Sequence, residues 1–320
     1  MTLAFVSIIS GIALIWISAE KLEKYSVLAT KQFGISPFLI GSTVIAFGTS
    51  APEMLTTLFV SLENQGAMVI GNVIGSNVAN LSLVFGSMLF VVSIKKQKVS
   101  QPNSINKNLI ILLASSLLVW CVIAIDPFSI IASIILLTTL LAVIYFWYRS
   151  KEDMIDSEDG DSSNNSFIKL ILSLVVLVSA AWLIVEGANL VLENYNLVGQ
   201  LFIGYTVLAI GTSLPEIAAS ISLALKSRYE AVAGTLIGSN IFNGLFVLAI
   251  PGLFTSRSIQ MSSGWEYSDW SSLLVILFAL TLMFCTYIFI LSRKDRRASL
   301  LLSILFLSIY FISLIYAYKF

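Results

Sequence analysis

The chain contains no histidine, and only two of its 320 residues are cysteine. Without imidazole it lacks the usual proton relay near neutral pH and the usual nitrogen ligand for a transition metal. Cys121 and Cys285 stand in apolar runs without metal-binding spacing and are expected to be buried small hydrophobes. Charge is also scarce, at 11% of residues against roughly 25% in soluble proteins, and 18 acidic residues balance 18 basic ones. Hydrophobic residues make up 58% of the chain and the mean hydropathy is +0.94. These values exclude an ordinary soluble domain and describe an all-α integral membrane protein embedded in a lipid bilayer. No nucleic-acid partner is expected, and no protein partner is inferable.

Apolar runs between charge clusters predict ten transmembrane helices, over residues 3–19, 37–62, 67–94, 108–125, 128–148, 167–192, 200–225, 231–253, 271–291 and 298–318. The first run, Leu3 to Ala19, has no basic segment before it and is expected to be a span rather than a cleaved signal. With loops on alternating sides, sixteen of the eighteen Lys and Arg residues fall on one side, leaving Arg257 and Lys319 on the other. That bias places both termini outside, in a multi-pass plasma or inner membrane topology. The acidic segment 149–166 between spans five and six becomes a cytoplasmic linker. It does not satisfy EF-hand spacing.

Residues Gly41 to Asn80 recur without gaps as Gly204 to Asn243, with 17 of the 40 positions identical. Gly48-Thr49-Ser50-x-Pro52-Glu53 and Gly75-Ser76-Asn77-x-x-Asn80 are answered by Gly211-Thr212-Ser213-x-Pro215-Glu216 and Gly238-Ser239-Asn240-x-x-Asn243. Because each half holds five spans, an odd number, the second copy enters the membrane upside down. Two inverted five-helix repeats are expected, 1–148 and 167–320, an architecture of secondary transporters. Helix packing alone asks for small residues and gives no reason to repeat a glutamate.

An ionised carboxylate at mid-bilayer is penalised by roughly 2.5–3.5 kcal/mol, so Glu53 and Glu216 require a partner or a proton. No basic residue follows in either span before Lys226. The natural partner is an external cation. Pro52 and Pro215 have no N–H to give the Gly48 and Gly211 carbonyls, so broken helices with free oxygens are expected at the centre. Ala46, Thr49 and Glu53 follow one helix face, as do Ser76 and Asn80 on the next helix. Carboxylate, hydroxyl, amide and carbonyl oxygens suit Ca²⁺ and Na⁺, whereas Mg²⁺ sheds its water reluctantly.

At these motifs the chain resembles the cation/calcium exchanger superfamily, specifically the sodium/calcium exchangers, whose inverted repeats carry G-T-S-x-P-E/D and G-S-N-x-x-N/D. The resemblance implies antiport of Ca²⁺ against Na⁺ through sites between spans two, three, seven and eight. By motif, Glu53 and Glu216 would be the shared carboxylates. Thr49, Ser50, Thr212 and Ser213 would add hydroxyl and carbonyl oxygens, as would the carbonyls of Ala46 and Ala209. Ser76, Asn80, Ser239 and Asn243 would complete the ring. Many members carry an aspartate at one of the two positions filled here by Asn80 and Asn243, which leaves the coupling stoichiometry open.

A proton-driven calcium exchanger is the alternative, since both glutamates could carry protons instead of Na⁺. An intramembrane enzyme would need an activated nucleophile or a metal-bound water. No histidine and no Ser-Lys or Asp-Asp pair is placed for either within the spans, so neither enzymatic activity nor a cofactor is expected. An ion channel is a further remote alternative, distinguished by the absence of a saturating, coupled flux. Glu20, Glu23, Glu186 and Glu193 fall near span ends, where interfacial solvation accounts for them. Thr235 opposite Asn72 departs from the repeat and is expected to reflect packing.

Overall fold

The computed structural model of the protein describes residues 2–62, 66–95, 105–149, 165–192, 205, 209–254, 267–290 and 296–317. Ten helical segments run through them: α1 (Thr2–Phe33), α2 (Pro37–Leu62), α3 (Gly66–Ile94), α4 (Ile105–Ile125), α5 (Ile130–Arg149), α6 (Ser166–Leu192), α7 (Ala209–Leu225), α8 (Tyr229–Phe254), α9 (Tyr267–Ile290) and α10 (Arg296–Ala317). Most of the linker, Glu193 and the basic residues at 96, 98, 151, 257, 293, 294 and 319 lie outside the described residues.

The first span differs from its sequence expectation. Its apolar run ends at Ala19, yet α1 continues unbroken through Lys21, Lys24 and Lys31 to Phe33. Lysine propagates a helix readily, so leaving the apolar layer does not end one. Gly34 ends it, with φ 60 in the left-handed region, while the Ile35 N–H bonds the Thr30 carbonyl at 3.2 Å in a Schellman closure. Ser36 then caps α2 by accepting the Leu39 N–H at 3.1 Å, with Pro37 beginning the helix. Ser227 adopts the corresponding left-handed conformation between α7 and α8.

The packing repeats as the sequence does. Helix α2 lies against α8, and α7 lies against α3; exchanging the two five-helix repeats converts one pair into the other. The pair α3–α10 is likewise answered by α8–α5, while α4–α9 and α1–α6 map onto themselves. Burial separates the layers: 89% of the best apolar window is buried in α8 and 72% in α3, against 22% in α10 and 33% in α5. The inner helices are thus shielded from lipid by the outer ones.

Glycine sets how closely the inner helices approach. A Cβ on Gly238 would lie 2.5 Å from the Ser42 carbonyl oxygen and 2.7 Å from the Ala46 Cβ. One on Gly75 would lie 2.7 Å from the Ala209 Cβ and 2.9 Å from the Tyr205 carbonyl oxygen. Tyr205 and Ala209 are the repeat counterparts of Ser42 and Ala46. Each motif glycine therefore seats one helix on the backbone of the opposite repeat, just before that helix breaks.

Candidate cation site

The two breaks are conformational copies. Ser50 has φ −80 and ψ 2, and Ser213 has φ −81 and ψ 0. The Ser50 N–H still reaches the Ala46 carbonyl at 3.0 Å and the Met54 N–H reaches the Ser50 carbonyl at 3.1 Å. The corresponding bonds from Ser213 to Ala209 and from Ile217 to Ser213 are both 3.1 Å. Each break is one residue in the bridge region, two positions before a proline that cannot donate. The Ala46 and Ala209 carbonyls thus already accept helical hydrogen bonds, leaving them only their second lone pair. Thr49 donates its hydroxyl to Ala46 as well, at 3.3 Å.

Two π-helical turns adjoin this region. One, Gly41–Ile45, leads into Ala46, and the other, Asn80–Val84, begins at Asn80. Such turns rotate the following helix and recur at functional sites. The second repeat has a short 3₁₀ turn at Val247–Ala249 beyond Asn243, so the halves differ here.

The motif side chains converge from α2, α3, α7 and α8. Thr49, Ser50, Glu53, Ser76, Asn80, Thr212, Ser213, Glu216, Ser239 and Asn243 are all buried, none more than 2% exposed. Contacts cross between repeats: Ser50 donates to Glu216 Oε1 at 3.4 Å, and the Thr49 and Ser239 hydroxyls meet at 3.4 Å. The Thr212 and Ser76 hydroxyls stand beside Glu53, as the Thr49, Ser50 and Ser239 hydroxyls stand beside Glu216. The carboxylates are near enough to repel one another.

Among the described residues no basic group answers them. Both Glu53 oxygens and Glu216 Oε2 lack a hydrogen-bond partner, as do Ser76 Oγ, Ser213 Oγ and the whole amides of Asn80 and Asn243. Orphaned buried polar atoms are costly and rare, and here they gather at one point. Their donor set, two carboxylates among hydroxyl and amide oxygens, matches a hard cation. Among the described residues no group of three or more His, Cys, Asp or Glu side chains could hold a metal, so the neutral oxygens are indispensable to such a site. A lateral cavity of about 810 Å³ between α2, α5, α6 and α8 is almost wholly apolar and offers no second polar centre.

Other sequence expectations divide. Cys285 is buried, its Sγ 3.7 Å from the Leu109 carbonyl, but Cys121 is exposed on the outer side of α4. The difference at Asn72 and Thr235 includes an interhelical hydrogen bond. Asn72 reaches across from α3 to Thr57 on α2, a contact missed although Thr57 and Asn72 extend the Glu53 and Ser76 faces by one turn each.

A helical bundle of inverted repeats, with broken helices meeting at two buried carboxylates, defines the class: a membrane transporter of cations rather than an enzyme. The family described as sodium/calcium exchanger protein matches residues 3–149 and 165–319. The chain belongs to that family. It is 31% identical over 313 residues to an uncharacterized membrane protein of Methanocaldococcus jannaschii, covering 95% of this chain and 94% of the relative. It is 25% identical over 345 residues to the sodium/calcium exchanger MaX1 of Methanosarcina acetivorans, covering 87% and 97%. A solved structure of the sodium-calcium exchanger NCX_Mj, soaked with Na⁺ and Sr²⁺, superposes with a TM-score of 0.80 at 27% identity, covering 98% of this chain and 97% of that one.

Proposed function

We propose that this protein is a Ca²⁺:Na⁺ antiporter working by alternating access. The observation that carries the reading is the pair of buried carboxylates, Glu53 and Glu216, with no basic partner among the described residues and a surrounding shell of neutral oxygens. Two fixed negative charges can be balanced by one Ca²⁺ or by Na⁺ ions on the same ligands, and competition for shared ligands couples the fluxes. In this reading Glu53 and Glu216 bind both ions. Thr49, Ser50, Ser76, Thr212, Ser213 and Ser239 contribute hydroxyls, Asn80 and Asn243 contribute amide oxygens, Ala209 contributes its remaining carbonyl lone pair, and the Ala46 carbonyl joins them once the Thr49 hydroxyl turns from it to the ion. The names borne by MaX1 and NCX_Mj support the choice of ions.

The repeats are 1–148 and 167–320, joined by the cytoplasmic linker 149–166, with both termini outside. The described basic residues support one-sidedness: Lys95 at the end of α3 bonds the Leu225 carbonyl at the end of α7 at 3.4 Å. Lys169 at the start of α6 likewise stands over the Tyr25 ring of α1. Helices α1 and α6 pack together and touch the core through contacts such as Leu174 against Gly48, which suits them to move as a pair against the inner helices.

The test is ⁴⁵Ca²⁺ uptake into proteoliposomes loaded with Na⁺, K⁺ or protons. Uptake driven by internal Na⁺ is expected. Uptake driven equally by a pH gradient without Na⁺ would replace this reading with proton-driven exchange.

A further inference from the structure

Polar residues do not stop at the central shell. On α2, Thr49, Glu53, Thr57 and Ser61 follow one another at four-residue spacing, and on the facing helix α3 so do Asn72, Ser76 and Asn80. The helices run in opposite directions, so the stripes meet in rungs: Ser76 beside Glu53, then Asn72 beside Thr57. Thr57 lies about 6 Å beyond Glu53 along the helix axis. It is sealed from solvent, and Asn72 is 1% exposed.

The outer rung has a defined polarity. Asn72 Nδ2 donates to Thr57 Oγ1 at 3.1 Å, which fixes the amide, and Asn72 Oδ1 is left buried with no hydrogen-bond partner. A residue serving only to tie two helices together would not leave a buried carbonyl oxygen without a partner. The second repeat makes the comparison internally. There Thr235 replaces Asn72 and returns its hydroxyl to its own Ala231 carbonyl at 2.9 Å, so it extends no oxygen across to Ser220, the counterpart of Thr57.

We propose that Asn72 Oδ1, with the hydroxyl oxygen of Thr57 and the nearby Glu53 carboxylate, forms an additional cation station one rung out from the central site, present in the first repeat and missing from the second. The station rests on the antiporter reading. Its ligands beyond Glu53 are neutral, so it suits a monovalent ion such as Na⁺, since a divalent ion needs more fixed charge close by. It lies on the side where α2 ends, which is the outer side in the proposed topology, and gives the two faces of an otherwise symmetric carrier different Na⁺ affinities.

The experiment measures half-saturating Na⁺ separately at each face, in right-side-out and inverted vesicles, for the parent, Asn72→Thr and Thr235→Asn. Asn72→Thr is expected to raise the value at the face where α2 ends by roughly three- to tenfold, the effect of losing one neutral oxygen contact, with the opposite face as the internal reference. Thr235→Asn is expected to lower the value at the opposite face. Asn72→Ser gives the same reading should Asn72→Thr not accumulate in the membrane. Equal shifts at both faces, or no shift at either, would overturn the station. Glu53→Gln in the same vesicles separates the two levels of inference: if it still transports, the central reading fails; if it is inactive while the Asn72 variants match the parent, only the station fails.

Discussion

The Ser50 hydroxyl on α2 donates to the Glu216 carboxylate on α7, 166 positions away, at 3.4 Å. The residue at the break of one repeat thereby completes the site of the other. Thr212 beside Glu53 likewise answers Thr49 beside Glu216. In the proposed function the duplicated halves share one site, so a helix movement in either half would disturb the ligands of both carboxylates.

Removing either charge should therefore disable the whole site. Glu53→Gln and Glu216→Gln are each expected to abolish Ca²⁺ transport while leaving folded protein in the membrane. One charge contact at 4 Å is worth on the order of 4 kcal/mol at an effective dielectric of 20, about a thousandfold in affinity. Normal ⁴⁵Ca²⁺ flux in either variant, with a parental gel-filtration profile, would remove that glutamate from the site.

Loss of the cross-repeat hydroxyl should be milder. Ser50→Ala removes one neutral donor to Glu216, and net contributions of that kind are about 0.5–1.5 kcal/mol. Transport should persist with half-saturating Ca²⁺ raised several-fold. A dose-response curve identical to the parent's would show that Ser50 plays no part in binding.

The motif glycines should act on stability first. In Gly238→Ala the new Cβ would meet the backbone of Ser42, which cannot rotate away. The expected cost is roughly 1–3 kcal/mol, read as a lower thermal unfolding temperature in detergent. An unchanged unfolding temperature would show that α2 and α8 can separate freely at this crossing.

Much of this site was legible in the chain because it is written twice. The motif repeat identified Glu53, Glu216 and their hydroxyl neighbours, and four-residue spacing put Ser76 and Asn80 on one face. The prolines correctly marked the breaks, because a missing N–H is a local fact. What depends on the other repeat could not be read this way. Whether residues 41–45 widen into a π turn depends on how α2 sits on Gly234 and Gly238 of α8. The bridge from Asn72 to Thr57 likewise needs the register of α2 against α3. The length of α1 was underestimated because hydropathy reports the lipid layer, whereas the helix ends at Gly34.

Asn243 carries a neutral amide, and the resemblance to the sodium/calcium exchangers implies an aspartate at one of the two positions filled here by Asn80 and Asn243. In Asn243→Asp a third acid beside Glu53 and Glu216 would meet like-charge repulsion, which either a proton or a further cation must relieve. The expected result is a proton-sensitive Ca²⁺ flux or an altered Na⁺ to Ca²⁺ ratio in reconstituted vesicles. Flux ratios and pH profiles matching the parent, on well-folded protein, would show that this position does not touch the transported ions.

The central claim is that Ca²⁺ and Na⁺ use the same two carboxylates, and equilibrium ⁴⁵Ca²⁺ binding to the purified protein in increasing Na⁺ tests it most directly. Na⁺ should displace Ca²⁺ competitively and cooperatively, while equal K⁺ should not, and Glu216→Gln should show no saturable Ca²⁺ binding at all. Saturable Ca²⁺ binding indifferent to Na⁺, or retained in Glu216→Gln, would contradict a shared site.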